Sequence, residues 1–287
     1  MAALFGPAGN SESFSKKYKS SKDAPLWLKN MGLTAYEYQC GRGVNIGEIT
    51  ASAIGEEGVK NGIQISVHAP YFINLSASDS ERVEKNIKYI IDAARCVNFM
   101  KGSRIVIHLG GISKMTRDEA MKNTKANVKA FLKALDDEGL SHIVPCIETM
   151  GKINVLGTLK EVLTVCREDE RLLPCIDFGH LNARTLGSLK TYEDFKNIFD
   201  TMENMIGTER AKIYHSHFSK IEYSKGGEVK HLTFEDEVYG PEFEHIAKIT
   251  AERNYSPVFI CESAGTQAED ALSMKNIYQN ILKESAL

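Results

Sequence analysis

Six side chains able to bind a metal ion each stand directly after a short apolar run. They are His68, His108, Glu148, Asp177, His215 and Glu262. Neutral imidazoles combined with carboxylates suit zinc or manganese better than calcium or magnesium. A lone histidine or carboxylate at a strand end is usually a hydrogen-bonded core residue or a helix cap. The pattern therefore indicates a metal site only if the six side chains converge.

Convergence of these side chains would have a definite chemical meaning. Three carboxylates in one place repel one another and raise each other's pKa unless a cation neutralises them. Six protein ligands also exceed the three or four of a single zinc centre. A carboxylate shared by two ions about 3.5–4 Å apart would account for the surplus, and such pairs stabilise both oxygens of an in-line phosphoryl displacement. Phosphodiester hydrolysis is therefore the leading hypothesis.

Further histidines and two cysteines lie close to these positions. His180 follows Asp177 by three residues, His217 follows His215 by two, and His231 lies in the same part of the chain as His217. These histidines are additional candidate ligands. Cys146 and Cys175 each precede a candidate ligand by two residues and so share its strand face, where small core residues are the favoured interpretation.

The apolar runs are candidate β-strands, and two earlier runs at 2–5 and 35–38 bring their number to eight. Helical signals separate them, including possible capping boxes at 78–81 and 116–119, helix starts at 158–161 and 191–194, and apolar spacing typical of helices. Further helices are predicted over 241–253 and 267–283. Eight βα units predict an α/β fold, a (β/α)8 TIM barrel in a single domain over residues 1–287. Strand ends converge at one mouth of such a barrel.

Composition and charge exclude several other classes of protein. The chain has 287 residues, 43% hydrophobic and 25% charged, with a net charge of −3. These values are ordinary for a folded globular protein and argue against a nonspecific polycation. We expect a cytoplasmic monomer, since no run resembles a membrane span or an export signal and the six cysteines are scattered. A doubly wound sheet is disfavoured because residues 6–9 lack the spacing of a phosphate-binding loop.

The chain resembles endonuclease IV, the zinc-dependent apurinic/apyrimidinic endonuclease of the xylose-isomerase-like TIM barrels. The similarity extends over about residues 63–262. Its motifs are HAPYFINL from His68, VIHLGG from Val106, CIETMG from Cys146, CIDFGH from Cys175, HSHFSK from His215 and ICE from Ile260.

This resemblance implies specific roles. His68, His108 and Glu148 resemble the ligands of a first zinc, and Glu148 resembles the carboxylate that bridges it to a second. The second zinc would be completed by Asp177, His215 and Glu262, and His180 with His231 resemble ligands of a third. The family also implies that Glu262 orients the attacking hydroxide, that Tyr71 lines the DNA pocket, and that double-stranded DNA is cut 5′ to a flipped abasic site.

The chain departs from the family pattern in two places. The third zinc of the family also takes an aspartate two residues before its second histidine, and Val229 occupies that position here. We therefore expect the third ion to be weak or absent, because a strand-like loop would point the neighbouring Glu228 away. After the second strand the family's Asn-Pro-Arg pattern is missing, which leaves Arg42 as the candidate wedge into the duplex.

Two other functions remain open. A sugar isomerase or epimerase of the same superfamily would need Glu148, Asp177, His215 and Glu262 for one divalent ion, but not both His68 and His108. A metal- or nucleic-acid-binding protein without catalytic activity is a third hypothesis. A basic groove would favour DNA, and its candidates in loops after strands are Lys152, Arg184, Lys220, Lys225 and Lys230.

Overall fold

The computed structural model describes residues 2–284 and contains one sheet of eight parallel strands together with a separate hairpin. The sheet strands are β1 (Leu4–Pro7), β2 (Ala35–Gln39), β3 (Gln64–His68), β4 (Arg104–Ile107), β5 (Val144–Glu148), β6 (Leu173–Asp177), β7 (His215–Phe218) and β10 (Val258–Cys261). The antiparallel hairpin consists of β8 (Ile221–Ser224) and β9 (Gly227–His231). The hairpin was not predicted.

Helices lie between the strands and cover the outside of the sheet. They are α1 (Glu12–Lys17), α2 (Ala24–Asn30), α3 (Glu48–Asn61), α4 (Ser80–Phe99), α5 (Arg117–Asp137), α6 (Leu159–Cys166), α7 (Phe178–Arg184), α8 (Tyr192–Ile206), α9 (Thr208–Ala211), α10 (Glu244–Glu252) and α11 (Gln267–Glu284), with a 3-10 helix at Ser21–Asp23. Among the described residues, no helix combines the length and apolar character needed to cross a membrane.

Capping boxes begin three of these helices, each at a predicted helix start. Thr116, Thr158 and Thr191 each accept a hydrogen bond from the third helical N–H, and the acidic residue there bonds back to the threonine N–H. The predicted box at 78–81 is wrong. Helix α4 is capped by Asp79, whose carboxylate accepts from the N–H of Arg82, because aspartate is itself a strong N-cap and takes that position.

The sheet curves into a nearly closed barrel, which confirms the predicted TIM-barrel fold. Its strand order is β1-β10-β7-β6-β5-β4-β3-β2. The remaining seam lies between β1 and β2, where the N–H of Gly9 donates to the carbonyl of Glu37 at 2.8 Å and the N–H of Thr34 donates to Phe5 at 2.9 Å. These bonds bring the two edge strands together.

Side chains alternate between the barrel interior and the helical layer. On β6, Cys175 joins an interior cluster with Val106 and Cys146, whereas Ile176 belongs to the large core between sheet and helices. Because successive side chains of a strand point to opposite faces, every second residue points into the barrel interior. The strand ends therefore direct their polar side chains into one space.

Gly6 permits the close approach of β1 to β2. A Cβ atom at this position would lie 1.8 Å from the carbonyl oxygen of Ala35, which is backbone and cannot turn aside. The absence of a side chain at Gly6 is thus a requirement of barrel closure.

We predict that Gly6→Ala lowers the free energy of unfolding by about 1–3 kcal/mol or more, since it forces the seam apart. Urea unfolding followed by circular dichroism measures this change. Gly47→Ala is the matched control, because a Cβ there meets nothing within 4 Å. Equal stability of the two variants would contradict this account of the seam.

Candidate metal centre

The carboxyl ends of the strands surround a cavity of about 560 Å³. His68, Glu148 and Asp177 are the last residues of β3, β5 and β6. His108 directly follows β4 and Glu262 directly follows β10. The structure thus brings five of the six sequence-predicted side chains to one mouth, and His215 is the exception.

Glu148 lies at the centre of this group and is 1% exposed. Its Oε2 lies 2.9 Å from His108 Nε2 and 3.1 Å from His68 Nε2, while its Oε1 lies 3.0 Å from His217 Nδ1. Burial alone would raise the pKa of Glu148, but the neighbouring His217 and His108 hold it well below its usual range. The two carboxylate oxygens therefore face two different sets of imidazoles.

Backbone carbonyls orient three of the histidine rings. Nδ1 of His68 lies 2.7 Å from the carbonyl of Ala69, Nδ1 of His108 lies 3.2 Å from that of Tyr71, and Nδ1 of His180 lies 2.9 Å from that of Thr149. A carbonyl can only accept, so each Nδ1 carries a proton, and Nε2 is the nitrogen that could exchange its own proton for an ion. Metal-binding histidines are commonly held in this way.

The predicted position of the seventh strand is wrong. Strand β7 begins at His215 instead of ending there, and the register pairs Asp177 with His217 but Cys175 with His215. His215 is consequently one layer deeper in the barrel. His217 occupies the place that was expected of His215. Ligand atoms of Glu148, Asp177, His217 and Glu262 all lie within 4.8 Å of one another. We refer to these four residues as the central cluster.

Asp177 is completely buried and only partly satisfied. Its Oδ1 accepts from the N–H of His180 at 2.6 Å and caps α7, whereas its Oδ2 has no hydrogen-bond partner. The pKa of Asp177 is raised to about 6, chiefly by burial and further by the Glu262 and Glu148 carboxylates, while His180 acts in the opposite direction. An orphaned carboxylate oxygen beside two other carboxylates is an arrangement that a divalent cation would stabilise. The donor set thus fits a metal ion.

A second group, the outer cluster, consists of His180, Glu228 and His231. Oε2 of Glu228 lies 3.4 Å from His180 Nε2, and its Oε1 lies 3.9 Å from His231 Nε2. The expectation that Glu228 points away is wrong. The hairpin register passes from Glu222–Lys230 to Tyr223–Glu228, so Val229 is an extra residue in a β-bulge. The bulge resets the alternation and turns both Glu228 and His231 toward the mouth.

Tyr71 lies at the rim of the cavity with half of its side chain exposed, as a pocket-lining residue would. Arg42 is exposed in the turn after β2 and does not line the cavity. Of the five basic candidates, Lys152 lines the cavity. Lys220 is buried and donates to the carbonyl of Asp236, and Lys230 pairs with Glu222.

The remaining two basic candidates also differ in their surroundings. Arg184 donates four hydrogen bonds to carbonyl oxygens of Met150, Lys152, Ile153 and Val155. Lys225 is exposed in the hairpin turn. Three of the five proposed phosphate contacts are therefore engaged with other protein groups, and the expected basic groove is smaller than predicted.

Sequence reasoning missed Glu37, a fully buried carboxylate on β2 beneath the central cluster. Its Oε2 lies 2.9 Å from His215 Nε2, and its Oε1 lies 2.9 Å from His217 Nε2. Burial alone would raise the pKa of Glu37, but the charge of His217 and the hydrogen bond from His215 hold it well below its usual range. The available signal was an acidic residue inside an otherwise apolar strand.

The fold is a parallel barrel whose mouth carries clusters of histidines and carboxylates able to hold metal ions. The sequence profile of the family described as Xylose isomerase-like TIM barrel matches residues 25–278. The chain belongs to this family, and the resemblance to endonuclease IV is confirmed by its relatives.

Two relatives illustrate the similarity in sequence. An uncharacterized protein of Methanocaldococcus jannaschii is 34% identical over 272 residues, covering 95% of this chain and 96% of the relative. A probable endonuclease 4 of Aquifex aeolicus is 26% identical over 225 residues, which is 76% of this chain and 77% of the relative.

Solved structures are similar in fold to the chain. A D-tagatose 3-epimerase-like protein superposes with a TM-score of 0.70 at 19% identity, over 89% of this chain and 91% of that protein. Endonuclease IV from Thermus thermophilus gives a TM-score of 0.64 at 18% identity, over 92% and 94%. Nuclease-like and epimerase-like proteins thus share this barrel.

We predict that Glu228→Ala removes about one bound divalent ion per chain, because two imidazoles alone hold an ion weakly. Elemental analysis after dialysis measures the loss. Val229→Ala is the control, since that side chain is half exposed and belongs to the bulge. An unchanged ion content in Glu228→Ala would contradict the carboxylate's role in the outer cluster.

Proposed function

We propose that the chain is a zinc-dependent phosphodiester hydrolase that cleaves double-stranded DNA 5′ to abasic sites in base excision repair, as a cytoplasmic monomer. Two or three ions would be bound, with manganese as an alternative to zinc. His68, His108 and Glu148 would hold the first, the central cluster the second and the outer cluster the third.

The geometry of Glu148 is the observation that carries this proposal. One of its oxygens faces His68 and His108, and the other faces His217. A carboxylate divided between two ligand sets is what paired ions require. When bound, such ions activate a water and stabilise the charge that develops on a phosphoryl group.

The protein side chains have distinct parts in this reaction. Glu148 keeps the two ligand sets at a fixed separation, and Glu262, whose side chain is about 15% exposed at the cavity, orients the attacking water. Attack at phosphorus breaks the bond to the 3′ oxygen and leaves a 3′ hydroxyl and a 5′ deoxyribose phosphate. Tyr71 and the exposed Arg42 would contact the nucleic acid.

A sugar epimerase acting with one ion is the second candidate. The central cluster alone is a complete set of four donors, and the epimerase-like structure superposes over most of the chain. This hypothesis leaves the contacts of His68 and His108 with Glu148 unexplained, and for that reason it ranks second.

We expect zinc-loaded protein to nick an oligonucleotide duplex at a single abasic site and to leave an undamaged duplex intact, as resolved on a denaturing gel. Binding should weaken steeply with salt, because phosphate contacts release counterions. Failure to nick the abasic duplex, together with interconversion of ketoses at their third carbon, would decide for the epimerase.

Glu148→Gln should reduce the cleavage rate by about 10²-fold or more, roughly 2.7 kcal/mol, because the variant loses a charge that both ligand sets share. Single-turnover kinetics give the rate, and elemental analysis gives the ion content. Glu168→Gln is the matched control, since Glu168 pairs with Lys125 and Lys129 on the helical surface. Full activity and full ion content in Glu148→Gln would contradict the bridging role.

A further inference from the structure

We propose that Glu37 is a positioning residue that fixes the His217 ring so that Nδ1, not Nε2, binds the ion of the central cluster. The inference rests on the proposed function only in requiring that this cluster binds a divalent ion. It concerns a residue that lies one layer below the mouth and does not line the cavity.

Glu37 is a buried carboxylate that accepts three hydrogen bonds and lies close to a fourth donor. Its Oε2 accepts from Ser66 Oγ at 2.9 Å and from His215 Nε2 at 2.9 Å. Its Oε1 accepts from Gln39 Nε2 at 3.1 Å and lies 2.9 Å from His217 Nε2, a contact that departs from the ideal angle. Two carboxylate oxygens offer about four lone-pair sites. Three of these sites accept hydrogen bonds, and His217 Nε2 lies beside the fourth.

The two nitrogens of His217 face opposite directions. Nε2 points down to Glu37, whereas Nδ1 points up, 3.0 Å from Glu148 Oε1 and 3.6 Å from Glu262 Oε1. Both nitrogens face a carboxylate, which can only accept, so each side of the ring carries a proton until a cation in the central cluster replaces the proton on Nδ1. Glu37 would then retain the proton on Nε2 and leave the Nδ1 lone pair to the ion. His68, His108 and His180 are oriented in the reverse sense, with Nδ1 against backbone carbonyls.

The difference has a physical cause in the position of His217 on its strand. His217 lies within β7 and not at its end, so its ring enters the barrel interior, where it lies against the carboxylates of Glu37 and Glu148. An acidic side chain from β2, across the barrel, supplies the acceptor. Its negative charge also makes the imidazole a stronger ligand, as second partners of metal-bound histidines do.

The experiment compares ion binding in Glu37→Leu and Glu37→Gln with that in the unmodified protein. Glu37→Leu removes the acceptor and should weaken one bound zinc by about 10–100-fold. Glu37→Gln keeps an amide oxygen for His217, so its zinc affinity should lie between that of Glu37→Leu and that of the unmodified protein. Zinc affinity is measured by competition with a chromophoric chelator. NMR of protein labelled with 15N-histidine and loaded with 113Cd identifies the nitrogen of His217 that binds the ion.

We expect coupling from cadmium to Nδ1 of His217 and a proton on Nε2 in the unmodified protein. Coupling to Nε2 would overturn the proposal, as would unchanged zinc affinity in Glu37→Leu. A cobalt–thiolate absorption band that requires Cys175 would overturn it too, because Glu37 would then serve a deeper ion held by Cys175 and His215.

Asp200→Asn is the matched control. Asp200 pairs with Arg253 and Lys196 at the opposite end of the barrel, so its loss should lower the melting temperature without selective loss of one ion. If Glu37→Leu instead loses affinity for every ion in proportion to its stability, Glu37 is only a structural residue. Because each readout is ion binding, failure to cleave DNA would contradict the proposed function and not this inference.

Discussion

Compensation of buried negative charge is the constraint on which the centre depends. Glu37 and Glu148 are almost completely excluded from solvent, and each lies against at least two imidazole rings. An unpaired carboxylate in this interior would carry a desolvation penalty of several kcal/mol, on the order of the stability of a whole domain. The compensating rings come from β3, β7 and the segment after β4. These contacts join residues of separate strands, so the compensation of charge depends on the pairing of the strands in register.

The barrel interior below the mouth holds side chains of different character. Cys146 and Cys175 pack with Val106 in an apolar group, and Glu37 with Ser66 and His215 forms a polar group beside it. His217 joins this polar group to the mouth, because one edge of its ring contacts Glu37 and the other contacts Glu148. The floor of the cavity is consequently charged, and loops contribute to its walls.

Much of the barrel could be predicted from sequence because strand alternation and helix caps are local properties. The parallel strands, three capping boxes and five converging ligands all follow from short patterns. His215 was misplaced because it shares a face with His217, and the alternation alone does not say which of them ends the strand. The inward turn of Glu228 depends on a bulge, which arises only when β8 pairs with β9. Glu37 has partners that are distant in the chain, so its role requires the closed barrel.

Arg184 holds the loop after β5 entirely through main-chain oxygens, those of residues 150, 152, 153 and 155. It is the last residue of α7, the helix whose first turn is capped by Asp177. The loop is thereby fastened to the same helix that presents His180, yet none of its own side chains is needed for the attachment. Evolution is thus free to exchange the side chains at Lys152 and Val155, which line the cavity, and so change which molecules the mouth admits. The geometry of the ligands beneath would be inherited unaltered.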